Sequence, residues 1–448
     1  MNIKKVIVSS FVYLPNWINR ILLRLNNNPN KIYGRRYYDY TMFLNSTSKF
    51  NYEKQLFEIV NNAITKVPFY KSNKEIKNID DFRKLPFINK NIVAENNKNF
   101  QDINIDHSKY DLVTTGGTTG SPLRMLLRKS RYIKESATLH WIWNKIGFSH
   151  HTRAVLRNHK LKQNQIYKIN PITKEFLFDG FRLSNQYYYQ IYNVIKRNKI
   201  QFIHAYPSNA YSFAKFMYNE KLDYTFIKGF ISSSENVLGY QKQFIEDQLS
   251  LKFLTFYGLS EKLILAWYCK HCECSHVEPS YGYFELINED GGVISEIGSV
   301  GEMVGTTLDN EEFPLIRYRT DDYAELVGFR CEHENRDVVS IKNIRGRRTG
   351  SYIFAGDGSK TTPTALNLHD DLYLHIDGIQ YVQERKGELI VLIIKGKTFN
   401  NEIETRLQSH YIERLKNTEV TLKFVNKLAK QPNGKFLDLI SKLKVTND

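Results

Sequence analysis

Twice between residues 187 and 257 a helical stretch runs straight into a β-branched, aromatic run that ends in polar residues, and this pattern constrains the fold more than any other feature. Tyr187 to Lys196 feeds Ile200-Gln201-Phe202-Ile203-His204-Ala205, and Gly239 to Leu249 feeds Lys252-Phe253-Leu254-Thr255-Phe256-Tyr257. Helices alternating with short strands imply parallel sheets with crossover helices, an α/β protein. Open sheets of this type bind ligands outside the carboxyl ends of their strands, which marks the residues after Ala205 and Tyr257 as candidate site positions. Upstream, apolar residues at 56, 57, 59, 60, 63 and 64 predict a helix over Tyr52 to Ile64, ended by Pro68. Beyond Gly346 the pattern changes to a small α+β unit, with a buried strand at Glu388 to Ile394 and a helix at Asn401 to Gln408. A chain of 448 residues exceeds one ordinary core, and 42% hydrophobic residues suffice to bury more than one.

The segment Thr114-Thr115-Gly116-Gly117-Thr118-Thr119-Gly120-Ser121-Pro122 holds three glycines and five hydroxyls, a loop suited to wrapping phosphate oxygens. Glycine lets backbone N–H groups approach an anion, and hydroxyls add donors without fixed charge. Tyr110 to Val113 and Leu123 to Leu127 read as strands on either side, so the loop joins two strands. It is not the P-loop, which needs Gly-Lys-Ser/Thr opening a helix.

With four later segments the chain resembles the adenylate-forming superfamily, in its phenylacetate-CoA ligase-like and CapK-like branch. Tyr257-Gly258-Leu259-Ser260-Glu261 resembles the YGxSE motif and Tyr318-Arg319-Thr320-Asp321-Asp322 the YRTGD motif. Ile344-Arg345-Gly346-Arg347 resembles the interdomain GR motif, and Pro432-Asn433-Gly434-Lys435-Phe436 the SGKF motif with its mobile lysine. Ala205-Tyr206-Pro207-Ser208 and Ser233-Ser234-Glu235 are weaker echoes. The resemblance implies a large N-terminal adenylation domain over residues 51–345, preceded by a basic segment 1–50, and a small mobile C-terminal α+β domain over 346–448. It implies ATP and Mg²⁺ as requirements, a carboxylic acid as substrate, and CoA or a surface-polysaccharide precursor as acyl acceptor. Thr114, Thr115, Gly116, Gly117, Thr118, Thr119 and Gly120 would hold phosphates. Tyr257, Gly258, Ser260 and Glu235 would line the nucleotide, and Asp322 and Arg347 would hold the ribose. Glu261 would coordinate Mg²⁺, and Lys435 would meet the α-phosphate. Two departures stand out: Asp321 occupies a position where glycine is usual, and the stretch after Gly346 lacks the acidic hinge residue of many relatives.

The four cysteines, Cys269, Cys272, Cys274 and Cys331, all lie around the YGxSE and YRTGD segments, with His271, His276 and His333 among them. Soft thiolates with imidazole close a tetrahedral shell, so a structural zinc site is expected. Cys269 and Cys331 with two of Cys272, Cys274 and His276 are the preferred ligands; spacing does not choose among the last three.

A net charge of +16 favours anionic ligands, but no nucleic-acid-binding motif accompanies it. No apolar run approaches transmembrane length. Trp17, Ile18, Ile21, Leu22 and Leu25 share one face of a predicted helix, away from Asn16, Arg20 and Arg24, and the first 40 residues carry seven basic residues against Asp39 alone. Such a helix either contacts a membrane in plane or packs on its own protein. The expected location is cytoplasmic, with a peripheral contact at the inner membrane face. The expected function is ATP-dependent acid activation in envelope polysaccharide synthesis, against the alternatives of an amide- or ester-forming ligase working without free CoA and a non-catalytic nucleotide-binding scaffold.

Overall fold

The computed structural model describes residues 14–25, 28–46, 51–114, 123–346, 352–366, 368, 371–415, 417–431 and 434–443. In chain order the strands are β1 (Tyr110–Thr114), β2 (Arg124–Arg128), β3 (Arg153–Leu156), β4 (Tyr167–Asn170), β5 (Glu175–Phe178), β6 (Phe202–Ala205) and β7 (Gly229–Ser232). There follow β8 (Lys252–Gly258), β9 (Leu265–Cys269), β10 (Cys274–Val277), β11 (Tyr283–Ile287), β12 (Val300–Thr306), β13 (Tyr318–Cys331) and β14 (Arg336–Gly346). The last are β15 (Ile353–Phe354), β16 (Lys360–Thr361), β17 (Ile376–Gln383), β18 (Glu388–Lys395), β19 (Glu419–Phe424) and β20 (Leu439–Ser441).

These elements gather into two compact units, one formed by residues 24–150 with 255–346 and the other by 14–23, 151–254 and 347–448. In the first, strands run in the order β11-β12-β13-β14-β10-β9-β8, and every neighbouring pair is antiparallel. Here the expectation of parallel sheets fails for a simple reason. Only residues 270–273 separate β9 from β10 and only 332–335 separate β13 from β14, too few for a crossover helix. The predicted helix is present at Tyr52–Lys66, burying Leu56, Ile59, Val60 and Ala63. β1 and β2 pair antiparallel with Thr114 opposite Arg124, so the Gly/Thr loop connects two strands as expected.

The second unit carries the parallel arrangement. β7, β6, β3 and β5 run parallel, with β4 antiparallel at the edge. The helix Asn185–Arg197 lays Tyr187, Tyr188, Ile191 and Ile195 into the core, and Pro207–Asn219 begins at a first-turn proline and is buried along most of its length. Residues after Gly346 share this core: Ile353, Leu366, Ile379 and Leu407 belong to one cluster with Phe213, Tyr240 and Phe244. Tyr211 Oη donates to the Ile376 carbonyl at 2.9 Å, and buried Lys215 Nζ donates to the Leu374 and Ile376 carbonyls at 2.8 and 3.0 Å. The four-stranded sheet β19-β18-β17-β20 completes the unit.

The helix Asn16–Leu25 is turned opposite to the usual sense. Its polar residues face protein: Asn16 Nδ2 donates to the Tyr167 carbonyl at 3.1 Å, fully buried Asn19 to the Ile169 carbonyl at 3.1 Å, and Arg20 to Asn198 Oδ1 and Tyr167 Oη, each at 2.7 Å. Its apolar residues Trp17, Ile21 and Leu25, spaced one turn apart, are 65%, 53% and 77% exposed. Among the described residues no helix is long and apolar enough to cross a membrane.

Candidate active site and metal cluster

In the first unit, the turn after β8 and the start of β13 brace one another. Tyr257 Oη donates to Asp322 Oδ2 at 2.6 Å, and Tyr318 Oη donates to Glu261 Oε1 at 3.2 Å. Burial, reinforced by the neighbouring carboxylates, pushes both phenols upward, so each stays a neutral donor. The Glu261 carboxyl is also raised, chiefly by burial, with the Tyr318 hydroxyl acting against the shift. Arg131, 1% exposed, fixes the next residue from below: its Nη2 donates to the Lys262 and Tyr281 carbonyls and its Nη1 to Asp309 Oδ2 at 2.7 Å. Gly258 and Ser260 lie exposed beside this turn, and Thr114 lies exposed at the end of β1. Thr115, Gly116, Gly117, Thr118, Thr119 and Gly120 fall outside the described residues, as does Arg347.

Asp321, standing where relatives carry glycine, adopts φ +61°, the left-handed conformation that glycine takes most easily. Aspartate is among the side chains that tolerate it. The turn is held by Asp321 N donating to Glu302 Oε1 at 3.1 Å and by Asp322 N donating to Thr320 Oγ1 at 3.1 Å. The backbone that presents Asp322 is therefore the one glycine would give.

In the second unit, Glu235 follows β7 and Lys435 sits on the C-terminal hairpin, and the structure brings the two segments together. Glu235 Oε2 accepts from Ser208 N at 3.1 Å, and Oε1 accepts from Ser208 Oγ at 3.3 Å and from Phe436 N at 2.6 Å. Its carboxyl is raised by burial against those three donors. The hairpin closes through a Lys430 to Phe436 bridge, with Gln431 N donating to the Lys435 carbonyl at 2.8 Å. Lys430 Nζ donates to Asn209 Oδ1 at 2.6 Å. Gly434 has φ +83°, and a Cβ there would lie 2.7 Å from the Phe181 ring, so both backbone and space require glycine.

Among the described residues, Cys269, Cys272, His276 and Cys331 bring their ligand atoms within 4.8 Å of one another. The Cys269–Cys272 and Cys272–Cys331 sulfur distances are 3.7 and 3.6 Å. A tetrahedron of zinc–sulfur bonds about 2.3 Å long has edges of about 3.8 Å, so the spacing fits that ion. His276 Nε2 is buried with no hydrogen-bond partner, while Nδ1 is engaged by Ser340 Oγ at 2.9 Å, the orientation a metal-bound imidazole needs. Cys274 pairs with Cys269 across β9 and β10 but is not in the cluster; His271 and His333 stack on each other, exposed, outside it.

No protein-family model matches the chain. Over 435 residues, covering 92% of this chain and 94% of the relative, it is 23% identical to Protein CapK of Staphylococcus aureus. It is 29% identical over 155 residues to the phenylacetate-coenzyme A ligase of Escherichia coli (strain K12), a match spanning 34% of that protein's length. Among solved structures, a 2-hydroxyisobutyryl-CoA ligase in the postadenylation state with R3-HIB-AMP superposes with TM-score 0.67 at 16% identity, covering 87% of this chain and 88% of that one. The chain thus has the fold of adenylate-forming ligases. The same fold is shared with the AtGH3.15 acyl acid amido synthetase, at TM-score 0.55 and 13% identity over 89% of this chain and 90% of that one.

The sequence alone did not single out Arg131, Arg157, Asn209 or Ser340. Each acts on a backbone carbonyl or on a neighbouring side chain far away in sequence, and a lone arginine among 63 basic residues gives no local signal. The aromatic residues Tyr187, Tyr188 and Tyr206 are core, at 4%, 3% and 2% exposed, whereas Tyr189 is 38% exposed.

Proposed function

We propose that this protein activates a carboxylic acid with ATP, forming an acyl-adenylate and releasing pyrophosphate. The observation that carries the reading is the cross-bracing of two distant segments, Tyr257 on Asp322 and Tyr318 on Glu261, which gathers the superfamily's motif residues into one polar cluster. In the reaction a substrate carboxylate oxygen forms a bond to the α-phosphorus as the bond to the pyrophosphate oxygen breaks, and charge builds on the phosphate oxygens. Thr114 to Ser121 would hold those oxygens through amides and hydroxyls, and Asp322 would accept from the ribose. Mg²⁺, bound through Glu261, would supply positive charge beside the phosphates. Lys435 would bring a point charge to the α-phosphate, and Arg347 would reach the ribose. Glu235, whose oxygens are engaged by Ser208 and Phe436, would hold the Lys435 hairpin to the turn after β7. Cys269, Cys272, His276 and Cys331 would hold a structural zinc that ties β9, β10 and the end of β13 together.

The acyl group then passes to CoA or to a nucleophile on a surface-polysaccharide precursor; similarity to CapK along nearly the whole chain favours the second. The outward Trp17-Ile21-Leu25 stripe, the apolar run from Val6 to Leu14 and the basic first 40 residues fit an anionic inner-membrane surface, where such precursors are assembled. The test is hydroxylamine trapping. Incubating the protein with ATP, Mg²⁺ and a panel of acids should give a hydroxamate with at least one acid, lost in Lys435→Ala and Glu261→Ala; ATP binding without a hydroxamate from any acid would favour the scaffold reading.

A further inference from the structure

The carboxyl ends of β3, β5, β6 and β7 converge on one arginine that no step above uses. Arg157 directly follows β3; its Nη1 donates to His204 Nε2 at 2.8 Å, and its Nη2 donates to Ser234 Oγ at 2.9 Å. Its guanidinium lies 5.1 Å from the centre of the Tyr206 ring. Among the described residues no carboxylate pairs with it, and its buried Nε has no acceptor. Among the described residues the buried arginines each have a carboxylate: Arg131 has Asp309, Arg153 has Glu175, and Arg317 has Glu285. Arg157 is half-buried, and Glu175 and Glu235 support its charge only from beyond ion-pair distance while burial works against it, so an arginine left with a spare donor at the mouth of a parallel sheet is one positioned to take a partner from outside.

Its surroundings are arranged for that. His204, buried beside the cation, is held well below its ordinary range, first by burial and then by Arg157, so it stays neutral and accepts. The arginine backbone is clamped. Gly180 approaches so closely that a Cβ there would lie 1.4 Å from the Arg157 carbonyl oxygen. Fully buried Asn209 donates to the Leu156 and Gly180 carbonyls at 3.2 and 3.1 Å. Ser234, with φ +74°, turns its hydroxyl to the guanidinium from the same segment that carries Glu235.

We propose that Arg157 selects the acid: it receives a second anionic group of the substrate, so that the acid activated is a dicarboxylate or an equally dianionic acid. This rests on the acid-activating reading above. The group at Arg157 is not the reacting carboxylate, because an oxygen held in a charge-assisted pair with a guanidinium is a poorer nucleophile toward phosphorus. An apolar monocarboxylic acid would instead cap the cation with hydrocarbon and leave its donors unmet.

The experiment uses the full chain and two readouts. Isothermal titration measures binding of glutarate, of butyrate and of ATP to wild type, Arg157→Gln and Arg157→Lys, and acid-dependent pyrophosphate exchange is followed with succinate, glutarate and adipate against butyrate, valerate and hexanoate. Wild type should favour diacids at least about tenfold; Arg157→Gln should weaken glutarate binding about 10- to 100-fold with ATP binding unchanged, and Arg157→Lys should recover part of the loss. Equal use of both acid series, or glutarate binding untouched by Arg157→Gln, would overturn the proposal while leaving acid activation standing. Diacid binding that depends on Arg157 without exchange from any acid would uphold the site and overturn the activity. ATP affinity falling with Arg157→Gln would assign the arginine to the nucleotide and overturn the proposal.

Discussion

Replacing the cysteines one at a time separates a designed metal shell from a chance gathering of thiols. The two sulfur–sulfur distances in the cluster, 3.7 and 3.6 Å, already lie within about 0.2 Å of a zinc tetrahedron's edge, so binding needs little rearrangement. Cys272→Ser or His276→Ala removes one of four ligands and should abolish stoichiometric zinc, and because β9, β10 and the end of β13 are joined there, should also lower the thermal midpoint. Cys274→Ser removes a buried thiol outside the cluster and should leave about one zinc per chain. Ser340→Ala deletes only the 2.9 Å hydrogen bond that orients His276 and should weaken zinc about 10- to 100-fold while preserving the stoichiometry at saturation. Metal content by plasma mass spectrometry, with chelator competition for affinity, reads all four. Full zinc in Cys272→Ser, or loss of zinc in Cys274→Ser, would refute the assignment.

Other expectations follow from single geometries. Asp321→Gly keeps the φ +61° turn and trades relieved strain against chain entropy, so chemical denaturation should find its stability within about 0.5 kcal/mol of wild type, whereas Asp321→Val should lose about 1–2 kcal/mol. Gly434→Ala places a methyl 2.7 Å from the Phe181 ring at φ +83°, and should cost about 1–2 kcal/mol and reduce acyl-adenylate formation by displacing the Lys435 hairpin. Trp17→Ser with Ile21→Ser removes exposed apolar surface only, so folding should be unchanged while sedimentation with anionic phosphatidylglycerol vesicles falls; undiminished sedimentation would discard the membrane face.

What the sequence revealed was what local pattern and motif spacing encode. The strand–loop–strand around Thr114, the helices feeding β6 and β8, and the clustering of cysteines beside β9 and β13 were all legible because each depends on residues near one another in the chain. The antiparallel sheet of β8 to β14 was not, since helix–strand alternation earlier in the chain was extended past the point where the connections become too short for helices. Periodicity found the apolar stripe on Asn16–Leu25 but not the side it faces, because that is decided by bonds from Asn16 and Asn19 to residues 151 and 150 positions away. Likewise, the spacing Cys-x-x-Cys-x-Cys-x-His offered more ligands than a shell takes; only the gathering of Cys269, Cys272 and His276 with the distant Cys331 leaves Cys274 out. Arg157 was invisible for the same reason: its neighbours His204, Tyr206 and Ser234 come from the ends of other strands, which no sequence window displays.

The most direct test of acid activation is carboxylate-dependent exchange of labelled pyrophosphate into ATP by the purified chain, run with wild type, Lys435→Ala and Glu261→Ala. Exchange that appears only with an added acid, and falls by two orders of magnitude or so in both variants, is the predicted result. Exchange that persists undiminished in Lys435→Ala, or its absence with every acid while ATP still binds, would contradict it.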